Sequence, residues 1–340
     1  MGPRERACRG VRGAKPLGLI NVLTGVRRYL LRRAGFAVLL VFAVSSASLL
    51  LAHLAPPGDA FGTDPAVLAA ERHRFGIDRP IGEQYLDWLS RSLRFDFGES
   101  MRFHRPVAAL VRERAANTAL LGLSALGLAT AIGLPLGVFT GSRARDPLAI
   151  VARAGSIVIL STPSLVTSLV LLLVASRTGW FPAGGLPRIP LDASVLDSVA
   201  ITTRHLFLPA LAVALPIAAA IERLQSRAIH EALEEPCIIA ALARGVPRHR
   251  VVWRHALRLS LKPVLAIYGI IIGSALSGSF VVEIVMSWTG LGDLMYQALQ
   301  SRDLYLVAGC AAAGSFGLAV GILLSDLALV AVDPRVEESA

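Results

Sequence analysis

The chain has 340 residues, 54% of them hydrophobic, and a mean hydropathy of +0.61, which excludes an ordinary soluble domain of this length. The net charge of +10 is almost all arginine, Lys15 and Lys262 being the lysines, and it lies beside apolar runs with little aromatic interleaving. That pattern argues against nucleic acid and for orientation in a membrane. Cys8, Cys237 and Cys310 are scattered, with no CxxC pair or histidine at ligand spacing, so neither a disulfide framework nor a metal site is indicated.

In chain order, residues 1–26 are basic and rich in glycine and proline without periodicity, and are expected to be a disordered extension. Arginines 27, 28, 32 and 33 precede an uncharged run from Ala34 to Leu54, about the 20 residues a crossing needs. A cleaved signal peptide ending near Ala52 to Pro56 competes with this reading. The run is long for a signal core and more runs follow, which favours an uncleaved first helix over 27–54. Residues 55–114 are polar and balanced in charge and suit an extracytoplasmic loop, with Trp88, Phe95 and Phe97 expected at its membrane interface.

A second apolar run covers Ala115 to Thr140 and a third Ile150 to Ala175, joined by a short link whose Arg143 and Arg145 read as cytoplasmic. Pro163 is expected to kink the third run, with the hydroxyls of Ser161, Thr162 and Ser164 satisfying the freed backbone groups. Trp180 and Phe181 read as an outer interfacial belt. The fourth run, Leu206 to Ile221, leads into a polar, arginine-rich segment over 223–263. A fifth run spans Val264 to Met286 and a sixth Tyr305 to Val330. Six crossings place both termini in the cytoplasm, and the arginine bias places 223–263 there too. The fold class is therefore all-α and polytopic, with five of the six spans in a core over 115–335.

The runs hold almost no charge. Glu222 and Glu283 are read at helix ends and Asp326 in the last turns of the sixth run; Glu283 and Asp326 are expected to be interfacial anchors or partners in one interhelical hydrogen bond, with a substrate role as the competing reading. An ion-coupled carrier working alone is the competing function, but it needs ionisable groups near the midplane. A membrane-embedded enzyme or lipid scaffold would need a reactive cluster that is not seen. In the fifth run Gly273 with Ser277, and Ser274 with Gly278, form small-xxx-small pairs. These suit helix packing or the lining of a pathway shared with a second subunit.

The segment from Glu231 to Pro263 has internal punctuation. Glu234 and Glu235 before Pro236 suit a helix start, Ala240, Ala241 and Ala243 leave a bare surface, and Gly245 supplies a left-handed end. Pro247 opens a second helix, on which Arg250, Arg254, Arg258 and Lys262 recur every four residues, with Val252, Ala256 and Leu259 on another side. Pro263 is expected to stop it. A basic helix resting on anionic lipid explains the arginines, whereas docking of a soluble partner explains the acidic start, bare helix and glycine turn as well.

Glu231, the run Ala240 to Gly245, the stretch Arg254 to Arg258 and Pro263 together resemble the EAA loop of bacterial ABC importer permeases, specifically the B-type subunit of the oligopeptide/dipeptide/nickel group. The resemblance extends from about Val26 to Arg335. It takes in RRYLLRR at 27–33, HLAPPGD at 53–59, FGIDRPIGEQYLDWL at 75–89, RPV at 105–107, LPA at 208–210, WTGLGDL at 288–294 and DPR at 333–335. It implies a type I importer transmembrane domain in the bacterial inner membrane. Its implied partners are a homologous C-type permease, two ABC ATPases and an extracytoplasmic solute-binding protein. By the same resemblance Glu231, Glu235, Ala240, Ala241, Arg244 and Gly245 dock the ATPase, while Arg254 and Arg258 brace the second helix. The chain departs from the family at Pro236, Cys237, Ile239, Ala240 and Leu242, where acidic, aromatic, arginine, threonine and arginine residues are frequent. No GxxxxGK[ST] motif occurs, so ATP and Mg belong to the partner subunits and this chain binds no cofactor.

Overall fold

The structure is a computed structural model that describes residues 79–332, apart from 93, 95, 183, 188–191 and 193, together with 32, 35, 36, 38–48 and 50. The expectations for the 1–26 extension, a cleavage boundary near Ala52, HLAPPGD, Phe95 and DPR lie outside the described residues. The described part is helical, without a named strand. Its elements are α1 (Val38–Ser48), α2 (Ile81–Ser92), α3 (Val107–Ser142), α4 (Pro147–Ser161), α5 (Ser164–Thr178), α6 (Val195–Leu233) and α7 (Pro236–Ala243). A composite helix over 248–266, α8, is followed by α9 (Tyr268–Val285), α10 (Leu291–Gln300) and α11 (Leu304–Val332).

Among the described residues four helices are long and apolar enough to cross a bilayer, α3, α6, α9 and α11; the bent pair α4 and α5 makes a fifth if counted as one crossing. Val38–Ser48 is the described part of the first run. The break in the third run is far sharper than a kink: α4 and α5 meet at 109°. Thr162 is extended (φ −92°, ψ 122°) because the ring of Pro163 pushes the preceding residue out of the helical region. The hydroxyls of Ser161 and Thr162 bond back to the carbonyls of Ile157 and Val158 at 2.9 and 2.8 Å, whereas Ile159 O, the carbonyl that Pro163 cannot serve, is satisfied by the amide of Thr162 at 3.1 Å and not by a hydroxyl.

Several helices start or end beyond their apolar runs. α3 begins at Val107, inside the stretch read as loop, because Val107 and Leu110 bury against Leu294, Leu306 and Val307. α6 begins at Val195, where Ser194 caps it by accepting the amide of Asp197. It runs to Leu233, so Glu222 lies within a 39-residue helix and not at an end. Trp88, expected at an interface, is buried against Ala308 on the inner face of α2. The start of α11 is anchored by Asp303, which accepts from Ser100 Oγ, Arg102 N and Leu306 N. Burial pushes its carboxyl above the ordinary carboxylate range.

α3 and α6 form the centre of the bundle. Gly133, Gly137 and Gly141 fall on one face of α3 and meet α6 backbone: a Cβ on Gly133 would lie 2.7 Å from Ala218 O, and one on Gly137 2.8 Å from Glu222 O. Gly141 is closer still to Ser226 O. Next to this contact Thr140 donates to the fully buried carboxylate of Glu222.

Candidate functional site

The polar segment forms two helices in series beyond the α3–α6 contact. α6 alone, at about 1.5 Å per residue, is far longer than a hydrocarbon core of about 30 Å. α7 starts at Pro236 after an extended Glu235 that makes no side-chain cap bond. It ends in a Schellman turn, in which Gly245 N bonds Leu242 O at 2.9 Å, Val246 N bonds Ala241 O at 3.2 Å, and Gly245 takes φ 80°. A side chain with a Cβ is disfavoured at that angle, which is why glycine stands there.

α7 is two-faced. Ile238 and Ala241 bury against Val138, Ile229, Val251 and Ala256, so Ala241, expected on the docking surface, is a base that seats the helix. Ala240, Ala243 and Arg244 are exposed, with Ile239 and Leu242 exposed beside them. Glu231 is exposed on the last turns of α6, and so belongs to that helix and not to a separate loop.

Pro247 leads into α8 as expected, but α8 is uneven: Arg248–Arg250 is α-helical, Val251–Ala256 is π-helical and Leu257–Ala266 is α-helical again. On a regular helix a four-residue row drifts about 40° per step. The wider i→i+5 turns counteract that drift. Val252, Ala256, Ser260 and Val264 therefore stay together on the buried side, while Arg250, Arg254, Arg258 and Lys262 are exposed. Leu259, expected on the same side as Val252 and Ala256, is exposed because the π-helical turns shift the register and put Ser260 on that side. Ser260 Oγ accepts from Gln225 Nε2 of α6 at 2.7 Å, and Arg248 Nη2 donates to Ser142 O at the end of α3 at 3.0 Å. Pro263 does not stop the helix. It removes its own donor, but Val264 is fully buried and holds the next turn in place, so the break falls at Ile267 (φ −96°, ψ 0°).

The four small residues of α9 divide between two roles. A Cβ on Gly273 would lie 3.3 Å from Leu318 of α11, and one on Gly278 4.0 Å from Val213 of α6. Ser274 and Ser277 are exposed. With Gly269, Ser325 and Asp326 they line an open groove of about 520 Å³ between α9 and α11.

Sequence reasoning missed Glu283 as an organising group. It lies near the end of α9 and makes an interhelical hydrogen bond, both as expected, but it is fully buried and its carboxylate accepts from Gly292 N as well as from Thr118 Oγ1, each at 2.7 Å. The signal was its spacing of seven and nine residues ahead of Gly290 and Gly292.

Apolar helices able to cross a bilayer, with a short apolar helix and an arginine-bearing helix following the longest of them, define a multi-pass membrane protein. Residues 133–338, well over half of the chain, match the family described as binding-protein-dependent transport system inner membrane component, and the chain belongs to that family. It is 32% identical over 317 residues to the oligopeptide transport system permease protein AppB of Bacillus subtilis (strain 168), a match covering 91% of this chain and 99% of that protein. It is 30% identical over 280 residues to the oligopeptide transport system permease protein OppB of Mycobacterium tuberculosis (strain ATCC 25618 / H37Rv), covering 81% of this chain and 86% of that one. The chain is thus a permease subunit of an ATP-binding-cassette importer, a membrane component and not an enzyme.

Proposed function

We propose that this permease passes peptides, pairing with a homologous C-type permease around a shared pathway. Its α7–α8 segment receives the stroke of two cytoplasmic ATPases, which hold the ATP and Mg, and an extracytoplasmic binding protein delivers the solute. Both termini are cytoplasmic in this arrangement. The peptide assignment rests on the names of the relatives, and the orientation on the arginine bias.

The observation that carries the docking assignment is the exposed edge of α7, seated on Ile238 and Ala241 and closed by Gly245. Ile239 and Leu242 make that edge partly apolar, so the receiving cleft is more apolar than one built for arginines, with Arg244 at its margin. Glu235 and Glu231 flank it, and Arg254 and Arg258 brace α8. Ser274 and Ser277 face the pathway.

Gly245→Val tests this: it should abolish co-purification of the ATPase and cut peptide uptake at least about tenfold, because a β-branched residue resists a left-handed backbone. Unchanged uptake with unchanged co-purification would sink the docking assignment.

A further inference from the structure

The turn between α9 and α10, at the other end of α3 from the docking helices, is held by buried and half-buried hydrogen bonds from three helices. The Glu283 carboxylate accepts from Thr118 Oγ1 of α3 at 2.7 Å and from the first amides of α10, Gly292 N at 2.7 Å and Asp293 N at 3.4 Å. Thr118 Oγ1 in turn accepts Leu291 N at 2.7 Å. Its neighbour Asn117 donates through Nδ2 to Thr289 O at 2.7 Å and accepts at its carbonyl from Trp288 Nε1 at 3.1 Å. The turn is shaped around this cluster. A Cβ on Gly290 would collide with the Glu283 carboxylate, one on Gly292 would lie 2.5 Å from Phe280 Cα, and Ser287 holds φ 54°.

Packing alone does not need a carboxylate there, since an apolar side chain of similar volume fills such a site without the cost of desolvating a charge. What the carboxylate adds is direction: its two oxygens fix α10 against one particular turn of α3. α3 is joined through its glycine face to α6, and α6 is joined to α8 by Gln225 and Ser260.

We propose that Glu283 is a positioning residue for transport: it locks α10 to α3, so that a displacement entering at α7 and α8 and carried by the α3–α6 pair moves α10 as part of the same body. The proposal rests on the docking of α7 to an ATPase.

The test uses the assembled importer in proteoliposomes, with Cys8, Cys237 and Cys310 replaced by serine and spin labels at Leu120→Cys on α3 and Leu299→Cys on α10, both exposed positions. With Glu283 intact, the label distance should be narrow and unchanged between the nucleotide-free and ATP-vanadate-trapped complex. Glu283→Ala and Thr118→Val should broaden it and lower peptide uptake roughly tenfold. ATPase co-purification and ATP hydrolysis should be retained, and Glu283→Gln, which keeps an acceptor for Gly292 N, should recover most of the uptake. A narrow distance in both variants, uptake within twofold of the parent, or an uptake loss that only tracks lost assembly overturns the proposal. Failure of the unsubstituted chain to bind an ATPase is a separate result that overturns the docking assignment. The label distance in the permease alone then still reads whether Glu283 holds α10.

Discussion

Two stripes of small residues run along helices of this bundle, and they do opposite things. On α3, Gly133, Gly137 and Gly141 are pressed against backbone atoms of α6, and no room is left for a Cβ. On α9, Gly273 and Gly278 meet only side-chain ends at 3.3 and 4.0 Å, while Ser274 and Ser277 are exposed in a groove. The same four-residue spacing closes one interface and leaves the other open. Small residues permit a close approach, but the helix opposite decides whether it happens. The α3 stripe closes a helix interface in this chain, and the α9 stripe borders an open groove.

Substitution should separate the two stripes. The largest effect should come from Gly141→Val, whose side chain has to displace the backbone at Ser226. A loss of about 3 kcal/mol or more, seen as a fall in thermal unfolding temperature in detergent or as failure to accumulate in the membrane, is expected for such overpacking. Thr140→Val comes next. It deprives the buried Glu222 carboxylate of its donor, at a cost of about 1–3 kcal/mol by the same measurement. The smallest stability change belongs to Gly273→Ala, which should stay within about 1 kcal/mol because Leu318 can give by a few tenths of an ångström. If Gly273→Ala destabilises as much as Gly141→Val, the distinction between the stripes is wrong.

Local backbone rules made the α7 segment legible. Pro236 as a first helical residue, Gly245 as the left-handed end and Pro247 as the next start all stand where residue chemistry puts them, because each acts through its own φ or its own missing N–H. The rule failed at Pro263, where burial of Val264 outweighs one lost hydrogen bond. Leu259 was misplaced because a π-helical stretch leaves no local signature in side-chain spacing, and it changes the register of every residue after it. Glu222 was read at a helix end because hydropathy marks where an apolar run stops, whereas α6 continues for more than two turns on the packing of Gln225, Ser226, Ile229 and Ala232. The glycines of α3 were readable in principle. Their four-residue spacing is masked by the uniformly apolar run around them.

By itself, then, the sequence determined the helical, membrane-spanning class, the order of the apolar runs and the punctuation around α7, since these depend on composition and on single-residue backbone preferences. The tertiary structure decided which glycine stripe closes, which face of α7 is exposed and that Glu283 binds Thr118 across 165 residues. Those choices depend on which helices lie side by side, and residue spacing within one helix carries no record of its neighbour.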